Sequence, residues 1–196
     1  MTTRIGISLF DGAEELDWAG PWEVLAAWSE LHPSDDVQVF TVAQHDGVVT
    51  CAKGLKVVPD HTWDSAPPID VLVYPGGRGT RLQIGDEVVT GWLRKTASAA
   101  QLMTSVCTGS LVYADAGLLH GRAATTHWES LDRLGELGEG IEVRPDDRFV
   151  DDGDVITAAG VSAGIDMALH LISRLVSADR AREVRRYIQY DPAPPV

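Results

Sequence analysis

The 196-residue chain carries 29 acidic and 16 basic side chains, so its formal net charge at pH 7 is −13. An acidic surface of this kind repels phosphate backbones and anionic lipids. We therefore expect neither a nucleic acid nor a membrane as a partner. The length predicts a single domain, residues 1–196, with a sizeable core.

The two cysteines, Cys51 and Cys107, are too few for a disulfide framework. No apolar run approaches the length that a membrane span requires. The N-terminal residues lead straight into a predicted strand rather than into a targeting segment. These features predict a protein of the reducing cytoplasm.

The first predicted strand covers residues 5–10. Proline suits the first position of a helix, so Gly20 and Pro21 predict that the first helix begins there. This places Asp17 on the connecting loop. In an open α/β sheet such loops gather at the carboxyl edge of the strands, where ligands bind. Asp17 is therefore a candidate catalytic acid, and a helix-capping carboxylate is the alternative interpretation.

The next segment contains a predicted hairpin and a buried strand. Residues 37–43 predict a strand, Asp46-Gly47 predicts a hairpin turn, and short strands are expected beside it at 48–51 and 55–58. Residues 69–74 are almost continuously apolar, as in a strand that is buried on both faces.

A glycine-rich loop follows the buried strand. Its glycines, Gly76 and Gly77, allow backbone N–H groups to approach a ligand closely. The loop therefore predicts an oxyanion-type pocket, with a plain tight turn as the alternative.

Cys107 stands between a predicted strand, residues 101–106, and an apolar helical pattern that begins at Leu111. Unpaired N–H groups converge at a helix N-terminus and favour an anion. We therefore expect the Cys107 thiol to ionise more readily than a free thiol and to act as a nucleophile. The alternative is a small buried hydrophobic residue.

The remaining chain alternates predicted helices and strands. His127 lies on a short strand predicted at 123–128, where it is a candidate for orienting or shuttling a proton, with a packed or surface histidine as the alternative. Residues 141–143 and 149–150 are predicted to pair with each other. The alternation predicts an α/β fold with a mostly parallel sheet and helices on both faces.

Several segments together resemble the ThiJ/PfpI superfamily. They are Pro75-Gly76-Gly77 after a strand, Cys107-Thr108-Gly109 after the next core strand, and the stretches 125–128 and 159–166. The resemblance covers essentially the whole chain. It implies a flavodoxin-like α/β sandwich, a homodimer, and a cysteine at a strained strand-to-helix turn.

Within this superfamily the chain is most similar to the isonitrile hydratases, through residues 16–25, Cys107-Thr108-Gly109 and 190–195. The resemblance implies that Asp17, Cys107 and Thr108 are the functional positions. It also implies addition of water to an isonitrile, which gives an N-substituted formamide without a cofactor. The peptidase and glyoxalase branches carry a histidine directly after the cysteine, where this chain has Thr108.

The chemistry suggests how these residues work. Cys107 would attack the terminal carbon of the isonitrile while Asp17 delivers a proton, which gives a thioimidate that water then hydrolyses. Thr108 would position water or hold Asp17. Because two like charges disfavour each other, Asp17 and Cys107 are expected to share one proton. Glu14 and Glu15 are possible substitutes for Asp17.

Two tryptophans, Trp18 and Trp128, are predicted to line an apolar substrate pocket, with core or dimer packing as the alternative. No cluster shows metal-ligand spacing, so no metal is predicted.

Two other functions stay open. One is another cysteine-dependent hydrolase of the superfamily. The other is a ligand or redox sensor that uses Cys107. Sensor domains of AraC-type regulators share much of the pattern, but a regulator would need a DNA-binding extension and the sequence stops at Val196.

Overall fold

A computed structural model describes residues 2–192, in which a seven-stranded sheet lies between two layers of helices. The strand order is β10-β11-β7-β6-β1-β2-β5, and only β10 runs antiparallel to its neighbour. The strands of this sheet are β1 (Thr3–Leu9), β2 (Val37–Ala43), β5 (His61–Thr62), β6 (Val71–Tyr74), β7 (Leu102–Val106), β10 (Phe149–Asp152) and β11 (Val155–Ala158). Four short strands form two separate pairs: β3 (Val49–Thr50) with β4 (Lys56–Val57), and β8 (Ala123–Ala124) with β9 (Glu142–Val143).

The helices cover both faces of the sheet. One core packs α1 (Glu15–Leu31), α6 (Ala163–Leu175) and α7 (Ala178–Tyr187) on one face. The other core packs α3 (Glu87–Ala97), α4 (Gly109–Asp115) and α5 (Leu131–Leu137) on the opposite face. A short helix, α2 (Thr80–Gln83), and two 3₁₀ turns, Pro33–Asp35 and Trp128–Ser130, complete the elements. The prediction of a flavodoxin-like α/β fold is confirmed.

The first helix begins earlier than predicted. It starts at Glu15, so Asp17 lies in its first turn rather than on a loop, and Pro21 lies inside the helix. A negative charge stabilises a helix N-terminus, and the Glu15 carboxylate supplies one in this turn. Pro21 lacks the N–H that would donate to the carbonyl of Asp17, four residues earlier.

The short strands predicted at 48–51 and 55–58 are confirmed as β3 and β4. Two other predictions of this kind are wrong. Asp46-Gly47 is not the hairpin turn, because β3 and β4 pair with each other through a turn at residues 51–55. Residues 142–143 pair in parallel with β8, and β10 pairs with β11. The β10–β11 hairpin turns at Gly153, where φ is +79°. That Asp-Gly turn signal competes with the predicted local pairing.

Candidate active site

Some of the predicted site residues, namely Asp17, the glycine loop, Cys107 and Thr108, meet at the carboxyl edge of three neighbouring strands. β6 pairs with β1 on one side and with β7 on the other. The segment after β1 leads into Asp17, the glycine loop follows β6, and Cys107 follows β7. Parallel strands bring their carboxyl ends to one edge, so residues far apart in sequence converge here.

Cys107 occupies an unusual backbone conformation at the strand-to-helix turn. Its φ is +55°, a value that side chains other than glycine rarely adopt and that costs about 1–3 kcal/mol. The Cys107 N–H donates to the carbonyl of Ala158 at 3.0 Å. The Cys107 carbonyl accepts the hydroxyls of Thr126 at 2.8 Å and Ser110 at 3.1 Å. These bonds hold the turn from both sides.

Gly76 must be a glycine because it packs directly against this turn. A Cβ atom at Gly76 would lie 2.4 Å from the Thr108 nitrogen and 2.9 Å from the Cys107 Cβ. Any larger residue would displace the cysteine.

The N–H groups of the glycine loop already have partners within the protein. Gly76 donates to Asp17 Oδ2 at 3.0 Å, and Gly77 donates to Thr108 Oγ1 at 2.9 Å. The predicted oxyanion role therefore needs correction, since both donors are used to hold side chains. Thr108 Oγ1 also lies 3.1 Å from the Thr80 hydroxyl, which fixes Thr108 to this loop rather than to Asp17.

Asp17 is a buried acid that keeps its proton unusually strongly. Its side chain is fully buried, and Oδ1 has no hydrogen-bond partner of ordinary geometry. Burial raises the pKa of Asp17 to about 7, with a smaller rise from Glu14. The Gly76 N–H and the facing Cys107 thiol act in the opposite direction. The capping alternative is not realised, because the carboxyl group bonds to Gly76 instead.

Cys107 is harder to ionise than a free thiol, contrary to the expectation from its helix N-terminus. Burial raises the pKa of Cys107 to about 12, and the Asp17 carboxylate adds to this rise. The N–H and hydroxyl of Thr108 favour the thiolate but do not offset burial. Above the pKa of Asp17 the pair therefore holds one proton, which lies on sulfur or on the carboxyl group.

His127 and the Cys107 sulfur lie on either side of Gly160, a contact that no local sequence pattern predicts. A Cβ atom at Gly160 would lie 3.1 Å from Cys107 Sγ and 2.4 Å from His127 Cδ2. The His127 Nδ1 atom accepts the Glu129 N–H at 3.3 Å, so a neutral ring carries its proton on Nε2. Among residues 2–192 no hydrogen bond joins His127 to Cys107 or Asp17.

The two tryptophans do not form one pocket wall. Trp18 is 8 % exposed and belongs to the core, where its indole N–H faces the buried Cys51 thiol. Trp128 is 72 % exposed at the surface next to His127. The structure therefore favours core packing for Trp18.

The Cys107 thiol is almost entirely shielded from solvent. Cys107 is only 6 % exposed. A cavity of about 740 Å³ opens elsewhere, beside β10 and the end of the described chain, and its lining includes neither Cys107 nor Asp17. Within the described residues there is no group of three or more histidine, cysteine or acidic side chains that could hold a metal ion. No helix of the described part is long and apolar enough to cross a membrane.

A flavodoxin-like sandwich with a cysteine at positive φ directly after β7, facing a buried carboxyl group, defines a class of cysteine-centred α/β proteins. The chain belongs to the DJ-1/PfpI family, whose sequence model matches residues 3–174.

Three comparisons describe its place in this family. The chain is 43% identical over 195 residues to the isonitrile hydratase of Pseudomonas putida, covering 100% of this chain and 82% of that protein. It is 32% identical over 170 residues to the HTH-type transcriptional regulator GbdR of Pseudomonas aeruginosa, covering 87% of this chain but 46% of the regulator. The crystal structure of a ThiJ/PfpI family protein from Pseudomonas syringae matches with a TM-score of 0.90 at 31% identity, covering 100% of this chain and 78% of that one.

Proposed function

We propose that the protein is an isonitrile hydratase, a lyase that adds water to R–N≡C and releases an N-substituted formamide. The observation that carries this proposal is the buried Asp17 carboxyl group, unpartnered at Oδ1 and facing the Cys107 thiol. Similarity to the isonitrile hydratase of Pseudomonas putida over the whole chain supports the same reaction.

The first step needs a nucleophile and a proton at one carbon atom. In the singly protonated pair, the Asp17 carboxylate takes the thiol proton while Cys107 sulfur forms a bond to the terminal carbon. Asp17 then delivers this proton to the same carbon, which gives the thioimidate R–N=CH–S–Cys107. One group with a pKa of about 7 suits both transfers, because it can accept and release a proton at neutral pH.

The second step consumes water and restores the pair. Asp17 removes a proton from water as the hydroxide adds to the thioimidate carbon, and it passes this proton to the substrate nitrogen. The tetrahedral adduct then collapses: the carbonyl forms, the C–S bond breaks, and the hydroxyl proton returns to the Cys107–Asp17 pair. The product is R–NH–CHO, and no cofactor takes part.

Thr108 and the glycine loop support this chemistry by position. Both the N–H and the hydroxyl of Thr108 favour the thiolate of Cys107, so Thr108 stabilises sulfur when it carries charge. Gly76 and Gly77 hold Asp17 and Thr108 through their N–H groups.

The test is turnover of a simple substrate. Incubation with cyclohexyl isonitrile should yield N-cyclohexylformamide, and a short reaction quenched with acid should leave a mass adduct of one isonitrile on Cys107. Cys107→Ala should abolish the product, whereas Cys51→Ala, at the other buried cysteine, should retain it. Unchanged turnover in Cys107→Ala would disprove the mechanism, and no product from the unaltered protein would disprove the function.

A ligand or redox sensor is the second candidate, because regulators such as GbdR share this region of sequence. The raised pKa of Cys107 counts against a redox sensor, since the thiolate is the oxidisable form. Selective oxidation of Cys107 by mild peroxide, without isonitrile turnover, would favour the sensor. Another cysteine-dependent hydrolase is less well supported, because Thr108 stands where a partner histidine would be needed.

We also propose a cytoplasmic homodimer. The exposed Trp128 side chain beside the site is an apolar surface that a second copy would cover. Sedimentation at micromolar concentration should show twice the chain mass, and a monomer at that concentration would contradict the proposal.

A further inference from the structure

The hairpin formed by β3 and β4 packs over the loop that leads into Asp17. Two backbone hydrogen bonds run in opposite directions between them: Gly12 N–H donates to Thr50 O, and Ala52 N–H donates to Ala13 O, each at 2.8 Å. The Thr50 N–H in addition donates to the Asp11 carboxylate at 2.7 Å. The loop is therefore held like a further strand of the hairpin.

The tip of the hairpin also binds the start of α1 through side chains. Glu15 Oε1 accepts the Lys53 N–H at 2.6 Å, and Leu55 N–H lies at 3.4 Å from the same oxygen. The Lys53 ammonium group forms an ion pair with Glu14. Three groups of the tip thus contact the two acidic residues that begin the helix.

The opposite side of the same loop contacts the glycine loop that binds the acid. Glu14 N–H donates to Gly76 O at 2.9 Å. A Cβ atom at Gly77 would lie 2.3 Å from the Glu14 nitrogen, so the two backbones touch. The residues that precede Asp17 are therefore clamped between the hairpin and the loop whose N–H holds the Asp17 carboxyl group.

We propose that the β3–β4 hairpin is a positioning element for Asp17 and that the Lys53–Glu14 ion pair at its tip sets the pH range in which Asp17 works. Lys53 and Glu14 are positioning residues, since they act through Asp17. This inference rests on the proposed function, in which Asp17 accepts and delivers the proton.

The charges around Asp17 support opposite effects for the two members of the ion pair. Glu14 raises the pKa of Asp17, and Lys53 lowers it. The other titratable or charged groups in this region are the Cys107 thiol, the Glu15 and Asp11 carboxylates that bind the hairpin, and the side chain of Arg78, which packs over Gly12. Removing either member of the pair exposes Asp17 to the uncompensated charge of the other.

The test compares two charge-removing variants with a matched control. Lys53→Met should move the acidic limb of the kcat/KM profile to higher pH, and Glu14→Gln should move it to lower pH. Each shift should be on the order of 0.5 pH unit at low salt and should shrink at high salt, because these side chains reach solvent. Lys56→Met removes an exposed lysine from the same hairpin and should leave the profile unchanged.

A second readout does not depend on isonitrile turnover. The rate at which iodoacetamide alkylates Cys107, followed by mass spectrometry across the same pH range, reports the titration of the Asp17–Cys107 pair. The two variants should shift this profile in the same opposite directions. If the unaltered protein hydrates no isonitrile, the proposed function fails while the alkylation profiles still test the hairpin. Shifts in one common direction, or no shift beyond that of Lys56→Met, would overturn the inference.

Discussion

Replacing the buried acid should stabilise the protein while removing its activity. Burial raises the pKa of Asp17 from its ordinary value of 3.8 to about 7. Between these values the folded chain keeps a proton that the unfolded chain releases, so stability falls as the pH rises through this window. A shift of about 3 pH units corresponds to about 4 kcal/mol, and because the side chain is fully buried no discount for solvent applies. Asp17→Asn has no charge to bury and keeps an oxygen for the Gly76 N–H.

The assay is urea unfolding of both proteins at pH 5 and at pH 8. The stability of Asp17→Asn relative to the unaltered protein should increase by about 2–3 kcal/mol between the two pH values, because about two pH units of this window lie above pH 5. Other titrating groups are common to both proteins and cancel in the difference. If the difference in free energy of unfolding between the two proteins does not change with pH, Asp17 is not a buried carboxyl group with a raised pKa. Retained hydration activity in the variant would refute its role as the acid.

Three further outcomes follow from the same geometry. The kcat/KM for hydration should rise with pH through about 7, because below the pKa of Asp17 the pair holds two protons and has no base; a flat profile between pH 5 and 8 would contradict this. Gly76→Ala should lower the free energy of unfolding by about 1–3 kcal/mol and the activity by more than about 100-fold, because the added Cβ overlaps the cysteine turn. Gly91→Ala is the control: it has open space around it and should stabilise its helix by up to about 1 kcal/mol. Thr126→Val should lower the free energy of unfolding by about 1–3 kcal/mol, because the buried Cys107 carbonyl loses one of its two hydroxyl donors. An unchanged unfolding temperature would show that the Thr126 hydrogen bond does not stabilise the cysteine turn.

Local patterns predicted most of the scaffold. The apolar run of β6 is buried on both faces, and the strand before Cys107 is followed by a helix as the sequence predicts. These features depend on the residues of each segment alone. The pairing of β8 with β9 does not, because the partner strand lies beyond a helix, and the local signals for residues 141–150 favoured a hairpin that does not form.

The sequence predicted that these candidate residues lie close together, but it predicted their electrostatics only in part. Asp17, Cys107 and the glycine loop converge as expected from their positions after neighbouring parallel strands. The pKa of Cys107 was predicted in the wrong direction, since a helix N-terminus is visible in the sequence but burial and an adjacent carboxylate are not. No local sequence pattern predicts that Thr126 and Gly160 contact the cysteine. Both residues do lie in segments that resemble the superfamily, at 125–128 and 159–166.

The sequence by itself determined the α/β class, the position of Cys107 at a strand-to-helix turn, and the absence of a histidine at position 108. Those properties depend on residue type and short-range periodicity. Only the tertiary structure decided that Asp17 lies in the first turn of a helix, that the N–H groups of Gly76 and Gly77 are already used, and that burial raises the pKa of the Cys107 thiol. Those properties depend on burial and on contacts between segments far apart in the chain, and the energy of a buried charge is set by its surroundings rather than by its neighbours in sequence.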